Sequence, residues 1–329
     1  MTDRIKWIDS LRGIACVLVM FAHLLSTHPV YGIYANGCGK IGVWLFFALA
    51  GYLLLNTAKD EDITLKWCVK YYSKKLLKLY PVYLIGLLAA FFAGQFQSAD
   101  DILWHLLLVK GTGHFWYMAV ILKFYCIAPV ILLLYKKIKK GVFIGILLLI
   151  LAVDLIFFPP NNYVENSIYM TWYIVVFIYG MFLYLIQQHI EIEKKSILWD
   201  LFGICLVIGI GFLTPWVRER IWNIEPSSFL QNKYWLIGFI WCLILLCIDK
   251  SAYIKSYLDK SCVLRFLGKI SYPVYIIHYV LLLWLRTFEM SWKLMAVIFI
   301  VASILVGWGL QEANEKLNFL VCMRKKNRT

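Results

Sequence analysis

Apolar residues run along this chain in long blocks, not in the strict alternation of a half-buried strand or the single stripe of a surface helix. Ten blocks stand out, near residues 8–27, 41–57, 80–95, 115–135, 141–158, 168–187, 197–214, 233–249, 270–288 and 293–311. Most approach the roughly 20 residues a helix needs to cross the hydrocarbon of a bilayer. Lipid offers the backbone no hydrogen bonds, so blocks of this kind predict helices. The expected fold is therefore all-α: one polytopic membrane bundle of about ten transmembrane helices spanning residues 1–329. No polar domain is expected before the first block and no sizeable soluble tail after the last. The first block carries Asp9, Arg12 and His23 and lacks a small-residue cleavage site, which argues against a removable leader. No internal repeat suggests the matched halves of many transporters.

Composition sharpens this picture. Of 329 residues 62% are apolar and 16% charged, with a mean hydropathy of +0.74. A soluble domain is nearer half apolar and a quarter charged, so the surplus needs lipid to face. The net charge of +14 could suggest nucleic acid, but its distribution excludes that reading. With the amino terminus placed in the cytoplasm, 24 of the 33 Lys and Arg residues fall on the inner side, seven on the outer side, and Arg12 and Lys123 within spans. That asymmetry predicts an N-in, C-in topology. The basicity is topological, with anionic lipid or a phosphate-bearing co-substrate as secondary partners. The nine cysteines show neither paired nor metal-ligand spacing, and only Cys38 falls on the outer side, so neither a disulfide framework nor a metal site is expected.

Candidate chemistry concentrates in the first block. Arg12 and His23 are 11 residues apart, about 20° after whole turns and about 16 Å along a helix axis, so they share one face. Asp9 sits three residues before Arg12, close enough to pair with it. Charged groups within a membrane are costly, about 2.5–3.5 kcal/mol each at mid-helix. Taken singly, Arg12 could snorkel to inner headgroups and His23 could be a packing histidine bonded across helices. Aligned on one span, they read as a functional stripe, with an imidazole in a low-dielectric site suited to act as general base toward a hydroxyl.

Asp9-Ser10-Leu11-Arg12-Gly13-Ile14-Ala15 followed by His23 resembles the opening signature of the integral-membrane acyltransferase-3 family, and further landmarks recur in order. They are Gly42 to Tyr52 in the second block, the basic run Lys74-Lys75-Leu76-Leu77-Lys78-Leu79-Tyr80-Pro81, His114-Phe115-Trp116-Tyr117-Met118, and Gly268 to His278. The resemblance covers essentially the whole chain. It implies transfer of an acyl group, commonly acetyl from acetyl-CoA, to hydroxyls of sugars in bacterial surface polysaccharides or their lipid-linked precursors. It further implies His23 as the catalytic residue and Arg12, braced by Asp9, as a donor-placing group. Acyl-CoA would be a co-substrate, with no permanently bound cofactor. Membrane lipids, a carbohydrate acceptor and polysaccharide-biosynthesis proteins would be the partners, and the bacterial inner membrane the location.

Other residues have two readings each. Lys74, Lys75 and Lys78 could contact the donor's phosphates or simply flank the membrane on its positive-inside side. The family favours Arg there, and Lys lacks its bidentate fork. Trp116 and Tyr117 could touch substrate or belong to an interfacial aromatic belt. His278 could do chemistry or make a structural hydrogen bond. Trp216, Arg218, Arg220 and Trp222 offer stacking and cationic groups in an outer loop where a sugar could dock. Departures from the family pattern are Ala50-Gly51-Tyr52, which lacks a serine hydroxyl, and Lys123, which stands about 12 Å into its helix before Phe124-Tyr125. Lys123 needs a partner inside the bundle, and Asp154 is the expected one. The rival reading is a transporter or flippase for an envelope precursor, because intramembrane charges also mark transport paths. A non-catalytic membrane partner of a biosynthetic complex is the third.

Overall fold

The computed structural model describes residues 5–35, 37–57, 61–164, 166–189, 195–223 and 233–326. Arg4, Lys59, Lys194 and Arg328 of the inner-side charge count lie outside these residues, as does part of the outer loop 215–232. The described helices are α1 (Lys6–Ser26), α2 (Gly32–Ala35), α3 (Gly39–Thr57), α4 (Leu65–Phe92), α5 (Asp100–Leu106), α6 (Trp116–Lys137), α7 (Lys140–Phe157), α8 (Ile174–His189), α9 (Ile197–Phe212), α10 (Pro215–Trp222), α11 (Tyr234–Lys250), α12 (Ile254–Lys260), α13 (Cys262–Leu285) and α14 (Trp292–Lys326). Among the described residues the only β pairing is one isolated bridge between Ser196 and Ser251. The chain is a polytopic helical bundle, as its apolar blocks predict.

Each of the ten blocks falls on a helix: α1, α3, α4, α6, α7, α8, α9, α11, α13 and α14. Among the described residues seven segments are long and apolar enough to cross a membrane, and an eighth if α9 and α10, bent by 78° at their junction, count as one span. Ten crossings would require α8 and α11, of 16 and 17 residues, to span as well.

The centre of the bundle is α1 packed between α13 and α3, with α8 on the far side of α3. The sequence reason is the placement of small residues, which let helix backbones approach closely in a membrane. A Cβ on Gly13 would run into the carbonyl oxygen of Leu264 in α13, and one on Gly268 into the carbonyl oxygen of Asp9 in α1. The α3–α8 contact repeats the device, with Gly51 against Phe177 O and Gly180 against Ala48 O. Polar side chains then tie the helices together. Tyr272 Oη donates to Leu79 O at 2.6 Å, joining α13 to α4. Asn314 Nδ2 donates to Lys78 O at 2.7 Å, joining α14 to α4. Ser10 Oγ donates to Leu258 O at 2.6 Å, joining α1 to α12. The flanks are different: α7 and α9 turn Leu148, Leu149, Ile156, Phe157, Leu198, Leu201 and Ile208 outward. These two helices form the apolar periphery, and the polar groups lie in the middle.

Candidate active site

Asp9 is buried at 6% exposure and accepts from Arg12 Nη1 at 3.3 Å, one turn later on α1. The pairing expected from their spacing is therefore present. Arg12 lines a cavity of about 110 Å³ together with Lys78 of α4, Tyr117 and Tyr125 of α6, Lys269, Tyr272 and Tyr275 of α13, and Gln311 of α14. Lys269 bonds Glu312 and Glu315 at 3.4 Å each, so its charge is partly balanced. Arg12, Lys78 and Lys269 together give this chamber its cationic lining.

His23 lines a second, larger cavity of about 250 Å³, at the opposite end of α1. Its walls include Gly39, Lys40 and Val43 of α3, His114 and Trp116, Asn166, and Tyr275 and Tyr279 of α13. Tyr275 is the one residue among the described linings common to both cavities. Its hydroxyl donates to His114 O at 2.8 Å and its ring lies 4.7 Å from that of Tyr117, which lines the cationic chamber. A partition of two tyrosines thus stands between the Arg12 end and the His23 end of the polar stripe on α1.

Three imidazoles gather at the His23 end. The ring of His278 is 5.3 Å from that of His23, and the ring of His114 is 5.5 Å from that of His278. Tyr279 packs against both His23 and His114, at 4.9 and 5.3 Å. His114 Nε2–H donates to Ile276 O at 2.8 Å, leaving Nδ1 buried without a partner. Among the described residues no group of three or more His, Cys, Asp or Glu is placed to hold a metal ion.

The loop before α6 delivers His114. Asp101 accepts from the backbone N–H of Gln97 at 3.0 Å and from Lys110 Nζ at 2.6 Å. The Lys110 bond is the largest influence holding the Asp101 carboxyl below its usual range. His105 Nδ1–H donates to Asp101 O at 2.6 Å, while its Nε2 accepts from the Thr112 N–H at 2.9 Å. That second bond requires a neutral imidazole, two residues before His114.

The predicted site residues separate into groups. Arg12 and His23 share one face of α1, as their spacing implies, but open into different chambers. Of the three lysines only Lys78 lines the cationic chamber. Lys75 turns inward with its Nζ 3.5 Å over the ring of Tyr125, and Lys74 is exposed. Trp116 is not a belt residue: it is buried at 4% and stacked 5.0 Å from Tyr173. Trp216, Arg218, Arg220 and Trp222 lie on α10, and none of them lines the His23 cavity. Lys123 does not pair with Asp154. Its Nζ donates to Ile168 O at 2.9 Å, and Asp154 Oδ2 is buried without a hydrogen bond, because α6 and α7 turn the two side chains to different neighbours. Sequence reasoning passed over Lys40, Lys269 and Gln311. Lys269 and Tyr275 stood inside the quoted Gly268-to-His278 run, but six residues set them about 120° apart around the helix, so no single-face period singled out the pair.

A cationic chamber and a histidine chamber thus meet at one wall inside a polytopic helical bundle. The profile of the acyltransferase-3 family, described as an acyltransferase domain, matches residues 5–312, so the chain belongs to that family. A protein of Acidianus two-tailed virus named "Putative acetyltransferase ORF330" is 23% identical over 289 residues, which cover 82% of this chain and 81% of that protein. No solved structure matches the chain.

Proposed function

We propose that the protein transfers an acetyl group from acetyl-CoA, bound at the Arg12 chamber, to a hydroxyl of a carbohydrate or related envelope acceptor in the His23 chamber. The observation that carries this reading is the pair of cavities sharing Tyr275, one with Arg12 and Lys78, the other with His23 and His114. The phosphates of CoA suit the cationic chamber, and Arg12, fixed by Asp9, places them. The thioester end then points at the partition. His23 takes the acceptor's hydroxyl proton as its oxygen attacks the thioester carbonyl, and returns that proton to the departing thiolate. The N-in, C-in topology with ten crossings belongs to the same reading. It puts the Arg12 chamber on the cytoplasmic side, where CoA is made, and the His23 chamber toward the opposite face of a cytoplasmic membrane. A surface polysaccharide or its lipid-linked precursor would meet it there, alongside the proteins that build it.

The test uses the full chain in liposomes, with labelled acetyl-CoA inside and a panel of soluble and lipid-linked sugars outside. Wild type is expected to acetylate a sugar hydroxyl and release CoA. His23→Ala should insert normally and lose a factor of about 10²–10⁴ in rate. Movement of an envelope precursor without consumption of acetyl-CoA would replace this reading with a transporter. Wild-type rates in His23→Ala would remove His23 from the chemistry.

A further inference from the structure

His278 is fully buried in α13, and its hydrogen bonding fixes its proton. Nδ1–H donates to Tyr275 O at 2.7 Å, with Val274 O at 3.1 Å, because a carbonyl can only accept. Nε2 is therefore a bare acceptor, and no group among the described residues hydrogen-bonds to it. A buried acceptor left without a partner forfeits its hydration for nothing in return, which calls for an explanation. The ring does not line the His23 cavity. It stands behind His23 at a centre-to-centre distance of 5.3 Å, a separation at which two imidazole edges can approach to hydrogen-bonding distance. Its other ring neighbours are His114, Tyr275, Tyr279 and, on α14, Phe299 at 6.5 Å.

A histidine acting as base needs one nitrogen bare and the other protonated, and the protonated one needs an acceptor. In hydrolytic triads a carboxylate fills that role. Among the described residues, the lining of the His23 cavity holds no carboxylate. We propose that His278 is the positioning residue for His23, its bare Nε2 accepting the His23 N–H and holding His23 in one tautomer with its other nitrogen turned to the acceptor. This rests on the acyl-transfer reading. A neutral imidazole suits a membrane interior, since it orients the base without burying a formal charge. When His23 takes the hydroxyl proton, the acceptor oxygen forms its bond to the acyl carbon. The carbon–sulfur bond then breaks, and the proton passes from His23 to the thiolate, which leaves as free thiol. His278 keeps its own proton on Nδ1 throughout. During the step its bond to His23 becomes charge-assisted and therefore stronger. In the unliganded protein the pair is open, as catalytic hydrogen bonds often are before substrate binds.

The experiment compares His278→Leu, His278→Asn and His278→Gln in the full chain in liposomes, each checked for insertion and melting temperature. Leu and Asn are expected to lower kcat about 10- to 100-fold, the worth of one charge-assisted hydrogen bond, with the KM for acetyl-CoA unchanged. Gln, whose amide oxygen reaches the place of Nε2, should recover most of the rate. A purely structural role would not favour Gln over Asn, and if the Leu variant fails to insert, the Asn and Gln pair still decides. Nitrogen-15 spectra of histidine-labelled protein give a readout independent of activity: His23 should be one neutral tautomer in wild type and a mixture in the Asn variant. Equal rates for Asn, Gln and wild type, or an unchanged His23 tautomer, would overturn the proposal. If wild type transfers no acyl group, the acyl-transfer reading fails, and the tautomer comparison still decides the role of His278.

Discussion

Adding a single methyl group at Gly13 tests whether the α1–α13 contact sets the site. The new Cβ would collide with the carbonyl oxygen of Leu264 and stand 3.1 Å from Gly268 N and 3.2 Å from Leu264 C. Ordinary contacts of a Cβ begin near 3.4 Å. The two longer contacts alone ask for a few tenths of an ångström, and the oxygen asks for more. All three atoms are backbone, so no side chain can swing aside and the two helices must part. Overpacking of this kind costs about 1–3 kcal/mol. Function should suffer more, because α1 carries Arg12 and His23 while α13 carries Tyr275 and His278. A misplacement of about 1 Å between reacting groups can cost on the order of 10² in rate. The control is Gly145→Ala in α7, where a Cβ would meet nothing within 4 Å. That change should be neutral or gain up to about 1 kcal/mol from helix propensity. The assay is acetyl transfer together with thermal unfolding in detergent. Gly13→Ala should insert, melt lower and lose about 10² in kcat, while Gly145→Ala keeps wild-type kcat. A Gly13→Ala protein with wild-type rate and melting temperature would show that this contact does not hold the site in register.

Lys78→Gln should raise the KM for acetyl-CoA several-fold, whereas Lys74→Gln should leave it unchanged; equal effects would return both lysines to lipid flanking. Burial pushes His105 below its ordinary value of 6.5, so the folded loop binds fewer protons than the unfolded chain. The stability it lends is therefore complete above about pH 6.5 and declines as pH falls below it. Amide exchange at Thr112 should accelerate over that range, and a rate independent of pH after correction for intrinsic exchange would refute the neutral His105 bond. Cys38 should react with an impermeant thiol reagent applied outside, and Cys262 only after permeabilisation; the reverse pattern would invert the topology. Cys322, the natural second inner probe, has its side chain outside the described residues.

What the sequence disclosed and what it withheld follow from the range of the interactions. Asp9, Arg12 and His23 lie on one helix, so 3.6 residues per turn sufficed to align them and pair the first two. Each apolar block likewise became a helix, because lipid leaves the backbone no other choice. The placement of His278 beside His23 spans 255 positions and depends on how α1 and α13 are rotated against each other, which no local period encodes. The Lys123–Asp154 expectation failed for the same reason: two costly charges on neighbouring helices invite pairing, but helix rotation gave Lys123 a carbonyl instead. Gly13, Gly51 and Gly268 were visible as residues within the landmarks, yet their purpose, close backbone approach, emerges only from the partners they meet.

The tyrosine partition also has an electrical consequence. A bilayer insulates across about 30 Å of hydrocarbon, but two solvent-filled chambers ending on either side of Tyr117 and Tyr275 would shorten the insulating path to the thickness of those rings. Most of the transmembrane voltage would then fall there, where a unit charge couples at about 2.3 kcal/mol per 100 mV. Under the proposed transfer, an acetyl group would cross that plane without feeling the voltage because it is neutral, whereas a proton following the same route would be driven by it. On that reading the two rings would have to let an acyl chain reach across while remaining closed to ions.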